Sequence, residues 1–301
     1  MEERKVRLGR RISLEGAQPI GSGYASRVYA LPDGNVVKVL RQGGPEEAER
    51  EIRLSKWAFF KGIPTAISYD VVDVDGRPGL VYESLGRGNL RNAFRDEPER
   101  FPELLADYLK LLRTVNSLTD EEGRLPAAIG KYREALAAVE DLLTPEEAER
   151  AAALLSTIPD KATIIHGDCQ IKNVRVVKGE LFLIDLDTLS RGDPIFELAG
   201  LIFCYRCFPE LHPQPYDAFF EIPTETLAQI LEGILEGYFP GLSREDRLAN
   251  GRKAELLAWL KLLALLREDE NTPGETTALT RFREALTGVE DLILCTGAEE
   301  K

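Results

Sequence analysis

The segment HGDCQIKN, residues 166–173, carries the residue types that phosphoryl transfer requires, and Asp185 follows twelve residues later in the run LFLIDLD. Transfer from a nucleotide needs a carboxylate that orients the attacking hydroxyl and accepts its proton, and oxygen ligands for the Mg²⁺ that bridges the phosphates. Asp168 and Asn173, five residues apart, can supply the base and one ligand, and Asp185 can supply another. By chance, HxDxxxxN is expected in only a few of roughly a thousand shuffled sequences of this composition.

A glycine-rich segment near the N-terminus, IGSGYASRVY, indicates a place for phosphates. Gly21, Ser22 and Gly23 are small enough for backbone amides to approach phosphate oxygens, and Lys38 follows in VVKVL as a point charge. Two glycines alone would not identify a phosphate loop, because any tight hairpin can use them. Glu51, in the one helix predicted for this region, is the natural ion-pair partner of Lys38, and a solvated surface role is its alternative.

These residues must be positioned by a strand-rich region and a helical region. Residues 1–86 predict an antiparallel lobe, because the turn signals PDGN and DG separate β-branched runs. Between them lies one predicted helix, with Pro45 at its first position and Gly62 just beyond its end. Residues 87–301 predict a mainly helical lobe interrupted by one β-rich island, which contains HGDCQIKN and LFLIDLD. The predicted class is α+β.

Composition and charge limit the class of protein. The 301 residues are 44% hydrophobic and 30% charged, as in soluble globular proteins, and are enough for two lobes. Residues 1–86 carry 13 Lys and Arg against 12 Asp and Glu, a net of +1, and the remainder carries 25 against 39, a net of −14. This acidic balance disfavours nucleic-acid binding and is compatible with a cationic ligand.

The remaining features concern location and cysteine chemistry. The charged N-terminus has no signal-peptide pattern, and no apolar stretch is long enough to span a membrane. Four scattered cysteines favour a reducing compartment, so we expect a cytoplasmic protein without membrane partners. Cys204 and Cys207 form a CxxC inside the apolar run AGLIFCYRCF, and we interpret them as thiols packed in a helix.

Together, these motifs resemble the aminoglycoside phosphotransferase and choline kinase branch of the protein-kinase-like superfamily. HGDxxxxN stands where protein kinases carry HRDxxxxN, and IDLD stands where they carry DFG. More narrowly, IGSGYASRVY, FFKGIPT, HGDCQIKN, LFLIDLDTL and GDPIFELAG look like a bacterial subgroup of that branch, and the resemblance covers roughly residues 15–205. It implies a bilobal kinase-like fold and an ATP-dependent small-molecule kinase that uses Mg²⁺.

The resemblance also implies a role for each motif residue. Asp168 would be the catalytic base, with Asn173 and Asp185 as ligands of Mg²⁺. In the segment VYESLG, the Glu83 carbonyl and the Leu85 amide would face adenine. The implied site comprises the catalytic residues Asp168 and Lys38, the nucleotide-binding residues Gly21, Ser22, Gly23, Lys38, Glu51, Glu83 and Leu85, and the metal ligands Asn173 and Asp185.

Some positions depart from the pattern of the branch. Glu197 replaces the Asp that commonly props the catalytic loop, and its longer side chain can do the same work. Gln170 stands where members often carry His, whereas His166 resembles the histidine that braces the loop. Arg175 stands where an apolar side chain usually lies under adenine. It either stacks on the base or points to solvent.

Three functions are therefore compared. The first is a kinase for a small hydroxylated acceptor, with a cationic, aminoglycoside-like or amino-alcohol-like molecule as one option. The second is a nucleotide-binding regulatory module without transfer activity, which Arg175 and Gln170 favour and the intact Asp168, Asn173 and Asp185 oppose. The third is a protein kinase, which is disfavoured because no APE-like segment follows Asp185.

Overall fold

The computed structural model describes residues 8–22, 26–212, 219–268 and 274–295. They form two compact units. The first contains the described residues up to Asn92 together with Asn173–Asp187, and the second contains Ala93–Lys172 and the described residues from Thr188 onward. The lobe boundary predicted between residues 86 and 87 stays a prediction.

The first unit is built on a five-stranded antiparallel sheet with the strand order β1-β2-β3-β5-β4. The strands are β1 (Gln18–Ser22), β2 (Ser26–Ala30), β3 (Asn35–Leu40), β4 (Ser68–Val74) and β5 (Arg77–Glu83). Asp75 and Gly76, with φ of 50° and 82°, make the tight β4–β5 turn, because a two-residue hairpin loop favours positive φ at both positions. The predicted hairpins are confirmed.

One long helix, α1 (Pro45–Lys61), packs on this sheet. Its apolar residues Ala48 and Ile52 lie in a buried cluster with residues of β3, β4 and β5. The helix begins at a proline, which tolerates the first position because its missing N–H needs no partner there. It ends at Gly62, whose φ of 95° is left-handed and whose amide donates to the Phe59 carbonyl at 3.0 Å. Both ends agree with the prediction.

A second hairpin belongs to the first unit although it lies far along the chain. It consists of β7 (Val174–Val177) and β8 (Glu180–Leu183), joined by the predicted Lys178–Gly179 turn. The Leu183 amide donates to the Pro64 carbonyl at 2.7 Å, and the Thr65 hydroxyl donates to the Leu183 carbonyl at 2.7 Å. These bonds attach the hairpin to the segment between α1 and β4.

The second unit is mainly helical. Helix α2 (Leu90–Asp96) contains the boundary between the units, and the second unit then includes α3 (Phe101–Asn116), α4 (Ala128–Ala138), α5 (Pro145–Thr157), α6 (Ile195–Ile202), α7 (Phe208–Leu211), α8 (Thr224–Gly237), α9 (Arg244–Glu268) and α10 (Glu275–Gly288). A five-residue π-helix, Phe203–Cys207, joins α6 to α7, and β6 (Ile164–Ile165) pairs antiparallel with β9 (Ser190–Arg191). Helix α9 packs against α4, α6 and α10 and supplies much of the core.

The predicted α+β class is therefore confirmed, with an antiparallel sheet in one unit and a helical core in the other. Within the described ranges, no helix combines the length and apolar character needed to cross a membrane.

Candidate active site

Three residues predicted for the nucleotide site meet in the first unit. The Lys38 ammonium on β3 donates to Glu51 Oε1 on α1 at 3.0 Å and to Asp185 Oδ1 at 2.8 Å. The Lys38 and Glu51 side chains are 15% and 16% exposed, whereas Asp185 is 45% exposed. Burial disfavours the ammonium, but Asp185 and then Glu51 outweigh burial and raise the pKa of Lys38 above its ordinary value. Lys38 therefore remains a cation, which a phosphate ligand requires.

Tyr82 on β5 also contacts Glu51, because its neutral phenol donates a hydrogen bond to Glu51 Oε1 at 3.2 Å. Burial, and then the Glu51 carboxylate, raise the pKa of Tyr82. The phenol thus stays protonated and helps to hold Glu51 in place.

The two predicted metal ligands flank the open end of the β7–β8 hairpin. Val174 pairs with Leu183, and beyond this pair the Ile184 amide donates to the Asn173 carbonyl at 2.9 Å. This register places Asn173 beside Ile184, so that Asp185 is the next residue. Asp185 has a φ of 65°, which is uncommon outside glycine, and such backbone conformations cluster at functional sites.

The oxygen donors at this hairpin end suit a hard divalent cation. Asp187, two residues after Asp185, remains exposed, yet partial desolvation and then the Asp185 carboxylate raise its pKa. A cation would relieve this repulsion, and Mg²⁺ commonly binds one or two carboxylates and completes its shell with water and phosphate. Among the residues that the structure describes, no three or more His, Cys, Asp or Glu form a ready metal cluster. The donor set fits Mg²⁺ with a nucleotide better than a metal held by protein alone.

In the second unit, Glu197 on α6 supports the loop that carries Asp168. Its side chain is buried, and its carboxylate accepts the His166 amide at 2.6 Å and the Gly167 amide at 3.1 Å. Burial raises the pKa of Glu197 to about 7, although the two amide bonds act in the opposite direction. The Thr188 hydroxyl donates to the His166 carbonyl at 2.7 Å. The expected loop-supporting role of Glu197 is confirmed.

His166 lies inside this support. It is fully buried, and its Nδ1 accepts the Asp168 amide at 3.3 Å. A side chain enclosed in this way braces the backbone around Asp168, which agrees with the structural interpretation of His166.

The π-helix contacts the same loop through two successive side chains. The Cys204 thiol lies 3.8 Å from Asp168 Oδ1 and donates to it, and Tyr205 Oη accepts the Ile171 amide at 2.8 Å. Burial, and then the Asp168 carboxylate, raise the pKa of Cys204, so that the thiol stays protonated. Sequence reasoning interpreted Cys204 and Cys207 as packed thiols and missed the contact with Asp168. A CxxC in an apolar run gives no sign of a π-turn, which often marks functional sites.

The remaining nucleotide-binding predictions fall in the first unit or outside the described residues. Gly21 and Ser22 end β1, and Gly23 lies outside the described residues. A Cβ at Gly21 would lie 3.5 Å from the Val28 Cβ, an ordinary contact, so packing alone does not demand glycine there. Glu83 is the last residue of β5, with its amide donating to Ile67.

Arg175 does not point freely into solvent. It is half-buried on β7, and its guanidinium donates to the Arg87 carbonyl at 3.3 Å, just after the segment VYESLG. Burial lowers its pKa from the ordinary value. The side chain therefore contacts the segment that follows the predicted adenine-facing residues Glu83 and Leu85.

The chain belongs to the phosphotransferase enzyme family, because the sequence model of that family matches residues 16–248, well over half of the chain. Comparison with curated protein sequences gives no match. The family assignment confirms the resemblance inferred from the motifs and identifies the class of enzyme as a small-molecule phosphotransferase.

Solved structures share the fold at low identity. The ADP-bound aminoglycoside phosphotransferase APH(2'')-Ib is 16% identical, with 97% of each chain covered and a TM-score of 0.57. A choline/ethanolamine kinase family protein from Mesorhizobium loti is 14% identical, covering 91% of this chain and 88% of its own, with a TM-score of 0.58. Amicoumacin kinase hAmiN, in complex with AMP-PNP, Ca²⁺ and Ami, is 18% identical, with 95% and 92% covered and a TM-score of 0.56.

These likenesses confirm the predicted kinase-like fold.

Proposed function

We propose that this protein is an ATP-dependent kinase that transfers the γ-phosphoryl group to a hydroxyl of a small molecule. The observation that carries the proposal is the contact of Lys38 with both Glu51 and Asp185, at 3.0 and 2.8 Å. These residues come from three separate stretches of the chain, and each was selected from the sequence for a role in nucleotide binding.

Lys38 is proposed to bind the α- and β-phosphates, and Glu51 to hold the ammonium in position. Asn173 and Asp185 supply oxygen ligands of the kind that Mg²⁺ prefers. When bound, Mg²⁺ would supply positive charge that neutralises the charge developing on the phosphates. Gly21, Ser22 and Gly23 are proposed for the phosphate loop, and Glu83 and Leu85 for adenine.

Asp168 is proposed as the general base that orients the acceptor hydroxyl and takes its proton. Its backbone lies in a loop supported by Glu197, and its carboxylate accepts a hydrogen bond from the Cys204 thiol. Both features support a carboxylate that is positioned before the acceptor arrives, which reduces the rearrangement needed during the reaction.

The ligands bound by the structural neighbours support an adenine nucleotide with a divalent cation, because one contains ADP and another contains AMP-PNP with Ca²⁺. The aminoglycoside phosphotransferase among them, together with the acidic helical region, leaves a cationic acceptor as one candidate class.

The decisive experiment compares the parent protein with Asp168→Asn. We expect Mg²⁺-dependent transfer, or ATP hydrolysis where no acceptor is supplied, to fall by about 10²- to 10⁴-fold, because the amide cannot accept a proton. Mg·ATP binding should persist. The matched control is Glu232→Gln, which neutralises an exposed carboxylate on α8.

Turnover by Asp168→Asn within about tenfold of the parent would contradict the role of Asp168 as base. A parent protein that binds Mg·ATP but transfers nothing to acceptors or water would instead support the regulatory module.

A further inference from the structure

A small cavity of the second unit opens beside the catalytic loop. It measures about 220 Å³, and Gly167, the residue before Asp168, forms part of its wall. The other polar and aromatic wall residues include Lys131, Tyr132, Thr188, Phe196 and Lys261. None of the described residues that line this cavity carries a carboxylate. The cavity is therefore basic, although the chain beyond residue 86 has a net charge of −14 from 25 basic and 39 acidic residues.

Lys261 is the unusual residue of this cavity. It interrupts the most apolar stretch of α9, between the buried Leu260 and Leu262. Lys261 itself is half-buried, so that its apolar stem can pack between the leucines while its ammonium stays accessible at the cavity wall. Its ammonium lies 4.8 Å from the centre of the Phe203 ring, and its charge also acts on the buried Glu197.

A second lysine of the same helix shows how such a charge is satisfied when its role is structural. Lys253 is 2% exposed, and its ammonium donates to the Ile293 carbonyl, which ties the C-terminal segment to α9. Lys261, in contrast, makes neither an ion pair nor a hydrogen bond with any residue that the structure describes. The two lysines of α9 therefore differ. The Lys253 ammonium binds a backbone carbonyl, whereas Lys261 lines a cavity.

We propose that this cavity, with Lys261 in its wall, binds the acceptor and selects a small hydroxylated molecule that carries a carboxylate or phosphate group. The inference rests on the proposed kinase activity and names the charge of its acceptor. Tyr132 and Phe196, whose rings stack with centroids 4.9 Å apart, give the cavity an apolar wall for the carbon frame. Lys261 and Lys131 provide its positive charge, and the Thr188 and Ser190 side chains also line it.

The volume sets the size of this acceptor. Pockets for drug-sized ligands usually measure about 300–1,000 Å³, so a cavity of about 220 Å³ suits a small metabolite better than a multi-ring antibiotic. In the transfer, the acceptor oxygen bonds to the γ-phosphorus as the bond from that phosphorus to the bridging oxygen of ADP breaks. Asp168 takes the hydroxyl proton, so that the products are ADP and a phosphate monoester.

The test uses probes that share a three-carbon hydroxylated frame and differ in charge: glycerate, glycerol 3-phosphate, glycerol and 3-amino-1,2-propanediol. Binding to the parent protein is measured by calorimetry in the presence of Mg·ADP, and transfer is measured by ADP release from Mg·ATP. We expect at least one anionic probe to bind about tenfold or more tightly than the cationic probe. The ratio between glycerate and glycerol 3-phosphate then distinguishes carboxylate from phosphate.

The preference for the anion should disappear in Lys261→Met and persist in Lys110→Met, which removes an exposed lysine from α3. Lys261→Gln provides a second variant if the methionine variant does not fold. Tighter binding of the cation, an unchanged preference in the Lys261 variants, or anion affinities weaker than about 10 mM would each overturn the proposal.

Mg·ATP binding is measured in parallel, because it separates this inference from the proposed function. Loss of the anion preference with intact Mg·ATP binding supports the cavity assignment. A parent protein that does not bind Mg·ATP contradicts the kinase proposal itself, whatever the probes show.

Discussion

The Lys38 group and the Asp168 loop are organised by different forces. Lys38, Glu51 and Asp185 are held by opposite charges at 2.8–3.0 Å, and the Asp185 side chain is almost half exposed. The loop around Asp168 is instead held by hydrogen bonds from its own backbone to side chains in a buried setting, chiefly Glu197 and Tyr205.

The difference shows how each region depends on its ligands. Charged contacts near solvent are screened by salt and can exchange for a metal or a phosphate. Backbone bonds to a buried side chain are costly to leave unsatisfied, so the loop keeps its shape without a ligand. The first arrangement suits residues that must change partners on binding, and the second suits the proposed base, which must keep its position.

The most damaging substitution on the charged side should be Asp185→Ala. It removes a proposed ligand for the cation and one of the two carboxylates that contact Lys38. Loss of a charged contact worth about 1.5–3 kcal/mol corresponds to a fall in Mg·ATP affinity of about 10- to 150-fold. Calorimetric titration of Mg·ATP into parent and variant measures it.

Asp187→Ala is the matched control for this substitution, because Asp187 lies two residues after Asp185. Among the residues that the structure describes, the carboxylates bonded to Lys38 are those of Glu51 and Asp185. A greater loss of Mg·ATP affinity in Asp187→Ala than in Asp185→Ala would show that Asp187 is the metal ligand. The Lys38 group would still differ from the Asp168 loop in being held by opposite charges, but the proposed metal ligand would be Asp187 instead of Asp185.

In the Asp168 loop, the buried Glu197 side chain is expected to make the stability of the protein depend on pH. Its pKa is raised from 4.5 to about 7 in the folded protein, so the folded state holds the proton more tightly. The raised pKa contributes to the free energy of unfolding in full below pH 4.5. This contribution falls as the pH rises from 4.5 to about 7 and does not change further above that pH. The change is roughly 3 kcal/mol.

Glu197→Gln should remove this slope, because the side-chain amide stays neutral at every pH. Its one oxygen can accept a hydrogen bond from either the His166 amide or the Gly167 amide, whereas the carboxylate accepts from both. Urea unfolding at pH 5 and pH 8 measures the free energy of unfolding of parent and variant. The exposed Glu232→Gln should retain the pH dependence of the parent. If Glu197→Gln also retains it, the loop is not held by a buried, readily protonated carboxylate.

The smallest effect is expected for Arg175→Met, which removes a hydrogen bond to the Arg87 carbonyl. One such bond contributes about 0.5–1.5 kcal/mol, so nucleotide affinity should change by about two- to tenfold if the segment after VYESLG moves. Titration of ATP and GTP into parent and variant measures affinity and base preference together. If neither changes, Arg175 has no part in the nucleotide site.

Local features of the fold could be predicted from the sequence because each depends on a few adjacent residues. The Asp75–Gly76 and Lys178–Gly179 turns and both ends of α1 follow from side-chain size, ring geometry and backbone preference. The motif spacing also predicted that Lys38 and Asp185 belong to one nucleotide site, although they lie far apart in the chain.

Two contacts could not be predicted, because each depends on how distant helices pack. The distance between Cys204 and Asp168 depends on a π-helix, and apolar periodicity does not distinguish a π-helix from an α-helix in a uniformly apolar run. Lys261 was visible as a break in an apolar helix, but the cavity that it faces is formed by α4, α6 and the catalytic loop as well as α9.

The π-helix also gives the chain a local length requirement. A π-turn closes its hydrogen bonds over five residues, whereas an α-turn closes them over four, so Phe203–Cys207 accommodates one residue more than a regular helix would. Deleting a single residue there would restore α-helical spacing, so that the residues of the turn itself would take new positions around the helix axis. Cys204 and Tyr205 would then lose their alignment with Asp168 and Ile171, although every side chain of the loop would be unchanged. The position of the Asp168 carboxylate thus depends partly on the number of residues in a neighbouring helix.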